Sequence, residues 1–298
     1  MNLVRCYFIL AVVFSTTFSI SQSSEKKSLL WKVYSSSTKD TSFIYGTIHI
    51  IEKKDMVLSK RLKNALKNAD ALLMEVDLNM DKETKRRVGE MALLPNHQTY
   101  KNYLNIEEAN FLSAYMKDTL KLGGIKIMIY GMMKPFFLQA ALLSEGIMHK
   151  ASFELTFQKI ASRKKQLGLE TIDEQMELIS GKDALKDQFE QLIVTLKKGE
   201  LSSNQMSQIV SLYKKQDVEA LHTFTVSSIY EECNGNNQKS AEMLESILYN
   251  RNRNWIPKIE TQITKEITFI AVGAAHLGGD KGVLNLLRKK GYFVEPVF

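Results

Sequence analysis

Two cysteines, four prolines and fifteen glycines are few for a chain of 298 residues. The shortage of proline and glycine excludes collagen-like and proline-rich architectures. Beyond the N-terminus no run of about 18 apolar residues occurs, and mean hydropathy is −0.18, which excludes a multi-span membrane protein. No internal repeat of roughly 20–50 residues is found, which argues against a solenoid or a propeller. A Gly-x-Ser-x-Gly elbow is also missing, which argues against serine-dependent hydrolysis. With 44% hydrophobic and 24% charged residues, the chain can bury a core, and disorder is not its main state.

Charge adds little specificity. Forty Lys and Arg against 33 Asp and Glu give +7, but the excess is spread along the sequence. The densest patches, Lys82–Arg87 and Arg163–Lys165, are short and lack interleaved aromatics. They read as solvated helix faces, and no nucleic-acid partner is expected.

The first 21 residues stand apart. Asn2–Arg5 carries one positive charge, Cys6–Phe14 is apolar, and Ser15–Ser21 is mostly small and polar, with Ser19-Ile-Ser21 as a small-x-small cleavage site. This pattern predicts a signal peptide over 1–21 and a secreted or periplasmic location. The apolar core is too short to span a bilayer comfortably, so no stable membrane span is expected after cleavage. Cys6 leaves with the leader, only Cys233 remains, and no intramolecular disulfide can form. Residues 22–298 are expected to form one domain.

The pattern along that domain alternates between strand and helix. Leu29–Ser36 and Ser42–His49 read as strands joined by a polar turn. Leu58, Leu62, Ala65, Leu66 and Ala69 recur at helical spacing, and Ala71–Leu78 is a short apolar run of the buried parallel-strand type. Asn105 with Glu108 forms a capping box before a helix over Ile106–Leu120. Gly123-Gly124 breaks that helix, and Lys134-Pro135 opens the next. Helical Phe153–Lys165 precedes a strand over Gln166–Thr171, and Asp173 is expected to cap Glu174–Ile179. Residues 183–249 are almost wholly helical in composition, with a break near Cys233–Asn237, and read as a helical cap. Lys265–Val272 is a strand, Asp280 is expected to cap Lys281–Lys290, and Tyr292–Val297 is a last strand. The order argues for an α/β fold with a largely parallel central sheet built from two βαβ-like halves, plus the helical insertion.

Two segments share one design. Phe43–His49 and Phe269–His276 each run as an apolar strand into Gly-x-x-His, and each is followed by an amphipathic helix and another strand. Ligands in parallel α/β sheets meet side chains at the carboxyl ends of strands. Four such ends carry a histidine or a carboxylate: His49, Glu75, Glu170 and His276. Two imidazoles and one carboxylate are the ligand set of many catalytic zinc sites, and a further carboxylate can activate the bound water. Glu75, inside an apolar run, needs a metal, an arginine or a hydrogen-bond partner, because an unpaired buried carboxylate is costly. Its plain alternative is a structural ion pair with Arg251. Asp77 reads as a cap, and His97, His149 and His222 read as surface residues.

At these residues the chain resembles the TraB/GumN family, related to the Tiki metalloproteases. The resemblance rests on Leu-Leu-Trp-Lys (29–32), Tyr-Gly-Thr-Ile-His (45–49), Glu-Val-Asp-Leu (75–78), Lys-Pro (134–135), Gly-Leu-Glu-Thr with Glu-Gln (168–175), Arg-Asn-x-x-Trp (251–255), Val-Gly-Ala-Ala-His-Leu (272–277) with Gly282, and Gly-Tyr-x-Val (291–294). The family usually carries Glu before Arg-Asn, where this chain has Asn250, a departure that bears on a local ion pair. The resemblance implies a fold shared with erythromycin-esterase-like and ChaN-like proteins. It implies paired signature histidines His49 and His276, acidic partners Glu75 and Glu170, and supporting Arg251 and Asn252. The expectation is a metal-dependent hydrolase, most readily a peptidase with a peptide or protein substrate. His49, Glu75 and His276 are expected to hold a divalent ion such as zinc, manganese or cobalt. Glu170 is expected to ligate it or activate water, and Arg251 to steady an oxyanion or substrate carboxylate. The alternative from another class is a haem- or ligand-binding protein of ChaN-like type, and a third is an esterase or other acyl hydrolase that uses His49 as a base.

Overall fold

The computed structural model describes residues 27–36, 38, 40–180, 184–199, 203–233 and 235–298. The expected signal peptide lies outside them. In chain order the elements are β1 (Leu30–Tyr34), β2 (Ser42–Thr47), β3 (Ile51–Glu52), α1 (Lys60–Asn68), β4 (Ala71–Val76), α2 (Lys82–Met91), α3 (Ile106–Ala114), α4 (Gly124–Gly131) and α5 (Pro135–Glu145). Next come β5 (Lys150–Ala151), α6 (Phe153–Ile160), β6 (Lys165–Glu170), α7 (Ile172–Ser180), α8 (Leu185–Lys197), α9 (Ser203–Lys214), α10 (Val218–Glu232) and α11 (Asn237–Leu244). The chain closes with α12 (Asn250–Ile263), β7 (Thr268–Gly273), α13 (Val283–Lys289) and β8 (Phe293–Pro296).

The α/β fold with a largely parallel sheet is what the structure shows. Six strands run in the order β6-β4-β7-β2-β1-β8. β6, β4, β7 and β2 are parallel neighbours, whereas β1 runs antiparallel to both β2 and β8. The two halves interlock: β2 and β7, the strands that lead into the two Gly-x-x-His segments, lie side by side, with Thr47 opposite Gly273. Val76 of β4 lies opposite Glu170 of β6. The carboxyl ends of four parallel strands therefore share one edge, and every strand-end residue singled out by sequence belongs to that edge.

The central strands are buried on both faces, which is why β4, apart from Glu75, and β7 read as apolar runs. The sheet packs against Phe153 and Phe157 of α6 and Trp255 of α12, all fully buried. Tyr45, Phe157 and Phe269 meet in edge-on and stacked pairs with centroids 5.3–6.4 Å apart. Truncating one such Phe costs about 3–5 kcal/mol.

A second, separate apolar cluster joins Leu94, Leu112, Met116, Leu138 and Leu142 to Phe189, Leu192, Ile193 and Leu196. The helical layer thus draws on residues 94–142 as well as on the 183–249 stretch. Among the described residues of the latter, α8 belongs to this cluster, while Tyr213 of α9 and Val218 and Leu221 of α10 pack on the sheet core.

Two helix starts differ from expectation. Thr171, not Asp173, caps α7: its hydroxyl accepts the Glu174 N–H at 3.1 Å, and the Glu174 carboxylate accepts the Thr171 N–H at 2.7 Å. That reciprocal pair satisfies two otherwise orphaned donors, and Asp173 turns outward to Arg87. α13 starts at Val283 after Gly282, not at Lys281 after Asp280. The intervening residues form a turn in which Gly279, at φ 77°, adopts a conformation that suits glycine.

Candidate functional site

Two turns build the site. After β2 the chain passes Thr47 and Ile48 to His49, and after β7 it enters a short 3-10 turn, Ala274–His276. Gly46 lets these segments touch: a Cβ there would lie 2.9 Å from a Leu277 methyl carbon and 3.0 Å from the Ala274 side chain. Gly273 marks the point of convergence. A Cβ added to it would lie 3.3 Å from Glu75 Oε1, 3.5 Å from His276 Cδ2 and 3.9 Å from His49 Nε2. The structure thus brings His49, Glu75 and His276 around one backbone position, with Glu170, Arg251 and Asn252 adjoining.

The buried half of the site is an ion and hydrogen-bond network. Arg251 Nη2 donates to Glu75 Oε2 at 2.7 Å and to Glu170 Oε2 at 2.9 Å. Arg251 Nε donates to Glu170 Oε1 at 2.8 Å. Nη1 donates to the Ile247 carbonyl and to His276 Nε2, both at 3.3 Å. Every N–H of the guanidinium then has an acceptor. The second Glu75 oxygen accepts the Gly273 N–H at 2.7 Å, and Glu170 also accepts the Trp255 Nε1–H at 2.9 Å. A turn of π-helix, Glu245–Tyr249, precedes α12, and such turns often accompany functional sites. Asn250 hydrogen-bonds Arg253, whose ion pair is made to Glu245.

Asn252 holds His276. Its amide nitrogen donates to the carbonyls of His276 and Lys281 at 3.3 and 2.9 Å, which turns its oxygen toward His276 Nδ1, 2.6 Å away. Nδ1 therefore carries the hydrogen, and Nε2 offers a lone pair to Arg251. The Trp255 ring covers the imidazole with centroids 4.5 Å apart. Burial, reinforced by Arg251, lowers the His276 pKa to about 3, so the ring is neutral. Burial pushes the Glu75 carboxyl up, but His276, His49, Arg251 and the Gly273 N–H together outweigh it and hold the pKa at about 2.

The exposed half is a histidine–carboxylate pair. His49 keeps 67% of its side chain in solvent. Its Nδ1 lies 3.1 Å from Glu154 Oε1, and Glu154 also accepts from Thr47 Oγ1 at 2.6 Å and Ser152 Oγ at 2.8 Å. Burial alone would raise the Glu154 pKa, but its bonds to His49 and Thr47 lower it, so the carboxylate is ionised. The hydrogen bond that His49 donates to Glu154, opposed by desolvation, raises the His49 pKa to about 9. Glu154 was invisible in the sequence, where it is an ordinary acid in the first turn of α6 behind the Ser152 cap.

Three expectations change with this geometry. Arg251 has no N–H left over for an oxyanion or a substrate carboxylate. Glu170 accepts Arg251 and Trp255 on Oε1 and Arg251 again on Oε2, so its carboxylate is first of all the arginine's partner. His222 is buried, not on the surface, and its Nδ1 contacts the Ala275 carbonyl at 3.0 Å. His97 and His149 are exposed, and Asp77 caps the turn at Asn79 as read.

The donor set does not fit the expected divalent ion as it stands. Glu75 and His276 have their oxygens and nitrogens engaged by Arg251, Gly273 and Asn252. Among the described residues no buried side-chain nitrogen or oxygen lacks a partner. Among the same residues no three His, Cys, Asp or Glu side chains converge in metal-holding geometry.

The family model described as TraB/PrgY/gumN family matches residues 29–296. The chain belongs to the TraB/PrgY/gumN family. No curated protein and no solved structure gives a significant match. The matched span contains both Gly-x-x-His segments and every residue of the buried network.

Proposed function

We propose that this chain is a hydrolase that cleaves peptide or related acyl bonds outside the cytoplasm, with water activated at His49. One observation carries the reading: at the carboxyl edge of a parallel sheet, His49 is an exposed imidazole whose Nδ1 is tethered to a carboxylate and whose Nε2 stands near Glu75 and Gly273. Once its Nε2 proton is lost, a ring fixed through Nδ1–H to an ionised Glu154 presents the Nε2 lone pair, which is the arrangement of a general base. Glu154 sets the tautomer and strengthens the base. Glu75 lies within reach of the same space and holds negative charge that favours proton transfer to the ring. Arg251, Asn252, Trp255 and Glu170 keep Glu75 and His276 in place. Export follows from the leader-like residues 1–21, and peptide bonds are favoured by the resemblance to Tiki metalloproteases. No step is assigned to a metal, because Arg251 would have to leave both carboxylates before one entered.

The test is cleavage of a peptide library by residues 22–298, with and without chelator. His49→Ala should reduce the rate by roughly 10²–10⁴-fold, the usual share of a general base. Because the base form appears only as the imidazolium loses its proton, the wild-type rate should climb with pH toward about 9. Undiminished cleavage by His49→Ala would refute the assignment. A Soret band on the purified protein would favour the ligand-binding alternative, since an exposed imidazole also suits an axial haem ligand.

A further inference from the structure

We propose that Arg251 is the resident cation of this site, and that the chain organises Glu75, Glu170 and His276 with its own guanidinium where the signature histidines and acids would otherwise gather a metal ion. The argument begins with valence. A guanidinium has five N–H groups in a planar fork, and here they meet Glu170 twice, Glu75, His276 Nε2 and the Ile247 carbonyl. The acceptors are those a divalent ion would claim: two carboxylates and an imidazole lone pair. The contact with Glu170 is the two-pronged kind that fixes orientation as well as charge.

The surroundings are built for a planar cation and not for a spherical one. The Trp255 ring lies under the guanidinium, 4.8 Å from its central carbon, a placement that favours a flat delocalised charge. The same indole donates to Glu170, so the carboxylate that receives the fork is itself fixed. The Arg251 side chain is only 13% exposed, and its two acidic partners are 9% and 10% exposed. Displacing the arginine would strand charge in a buried place, which is strongly unfavourable. His276 completes the case: its Nε2 lone pair points at Arg251 because Asn252 holds the hydrogen on Nδ1.

The proposal is independent of hydrolysis, because its readout is metal content and thermal midpoint. Residues 22–298 would be dialysed against zinc, manganese or cobalt and analysed for bound metal, and the midpoint followed with and without each ion. Wild type should hold far less than one equivalent and show no metal-dependent rise. Arg251→Ala frees two carboxylates and an imidazole nitrogen, so it should gain metal uptake and a metal-dependent rise in midpoint. Low concentrations of guanidinium ion should restore part of its midpoint and compete with the metal. If Arg251→Ala does not fold, the wild-type measurement still decides, and Arg251→Lys, which keeps the charge without the fork, should remain metal-poor. About one tightly held equivalent in wild type, lost in Glu75→Gln and in His276→Ala, would overturn the proposal. A folded Arg251→Ala that ignores both metal and guanidinium would overturn it equally.

Discussion

His49 and His276 end nearly identical motifs, yet the fold puts them in opposite states. His49 stands in solvent beside an ionised Glu154, and its pKa rises to about 9. His276 is 5% exposed, with Trp255 against its ring and Arg251 at its Nε2, and its pKa falls to about 3. The cause is partly register: Thr47, not Gly46, lies opposite Gly273, so the two motifs are offset by one residue across the sheet. It is partly the neighbours, because Asn252 and Trp255 of α12 enclose His276 at the β7 end, while His49 beyond the β2 end is held by Glu154 at the start of α6. The lesson is that a repeated motif need not mean a symmetric site. One copy is a buried acceptor and the other is an exposed ring paired with a carboxylate.

This asymmetry predicts a graded set of effects on stability. Arg251→Ala should be the most damaging change, since it leaves Glu75 and Glu170 buried without a cation. Breaking such a pair costs about 3–5 kcal/mol, readable as a lower denaturant midpoint. Asn252→Ala should follow at about 1–3 kcal/mol, because it orphans the His276 Nδ1–H and two carbonyls. His49→Ala should cost less than either, because the pair it makes with Glu154 is largely solvent-screened on the histidine side. A His49→Ala protein as unstable as Arg251→Ala would break the comparison.

The pH dependence should also split, with smaller effects. Glu75 titrates at about 2 in the fold against an ordinary 4.5, so its contribution is present above 4.5 and lost as pH falls toward 2. His276 titrates at about 3 against 6.5, so the unfolded chain takes up the proton first and stability declines as pH falls below 6.5. His49 has the opposite sign: its pairing with Glu154 contributes fully below 6.5 and fades as pH rises through about 9. Denaturation followed across pH should show an acid-sensitive limb and a shallow alkaline one, and His49→Ala should remove only the latter.

Much of this was legible in the residues. Apolar runs marked β4 and β7 because those strands are buried on both faces, and the Asn105–Glu108 box marked the start of α3. His49, Glu75, Glu170 and His276 were identifiable because parallel strands deliver their ends to one edge. The Arg251–Glu75 ion pair was foreseen as the plain alternative to a metal. What escaped had no local signal. Glu154 reaches His49 across 105 positions of sequence. The second apolar cluster joins residues 94–142 to α8, which only tertiary packing reveals. His222 has the sequence context of a solvent-facing helical residue, but its ring lies against Gly279 and the Ala275 carbonyl. At α7, a Thr-x-x-Glu box outcompeted the neighbouring Asp173 because it satisfies two backbone donors at once.

The division of labour between the two histidines is tested most directly by NMR titration of the imidazole resonances, assigned with His49→Ala and His276→Ala. Two results are expected together. The His49 ring should titrate well above the ordinary 6.5, and Glu154→Gln should bring it back toward that value. The His276 ring should stay neutral, with its hydrogen on Nδ1, down to about pH 4, since its pKa is about 3. Both rings titrating together near 6.5, or neither responding to Glu154→Gln, would contradict the account.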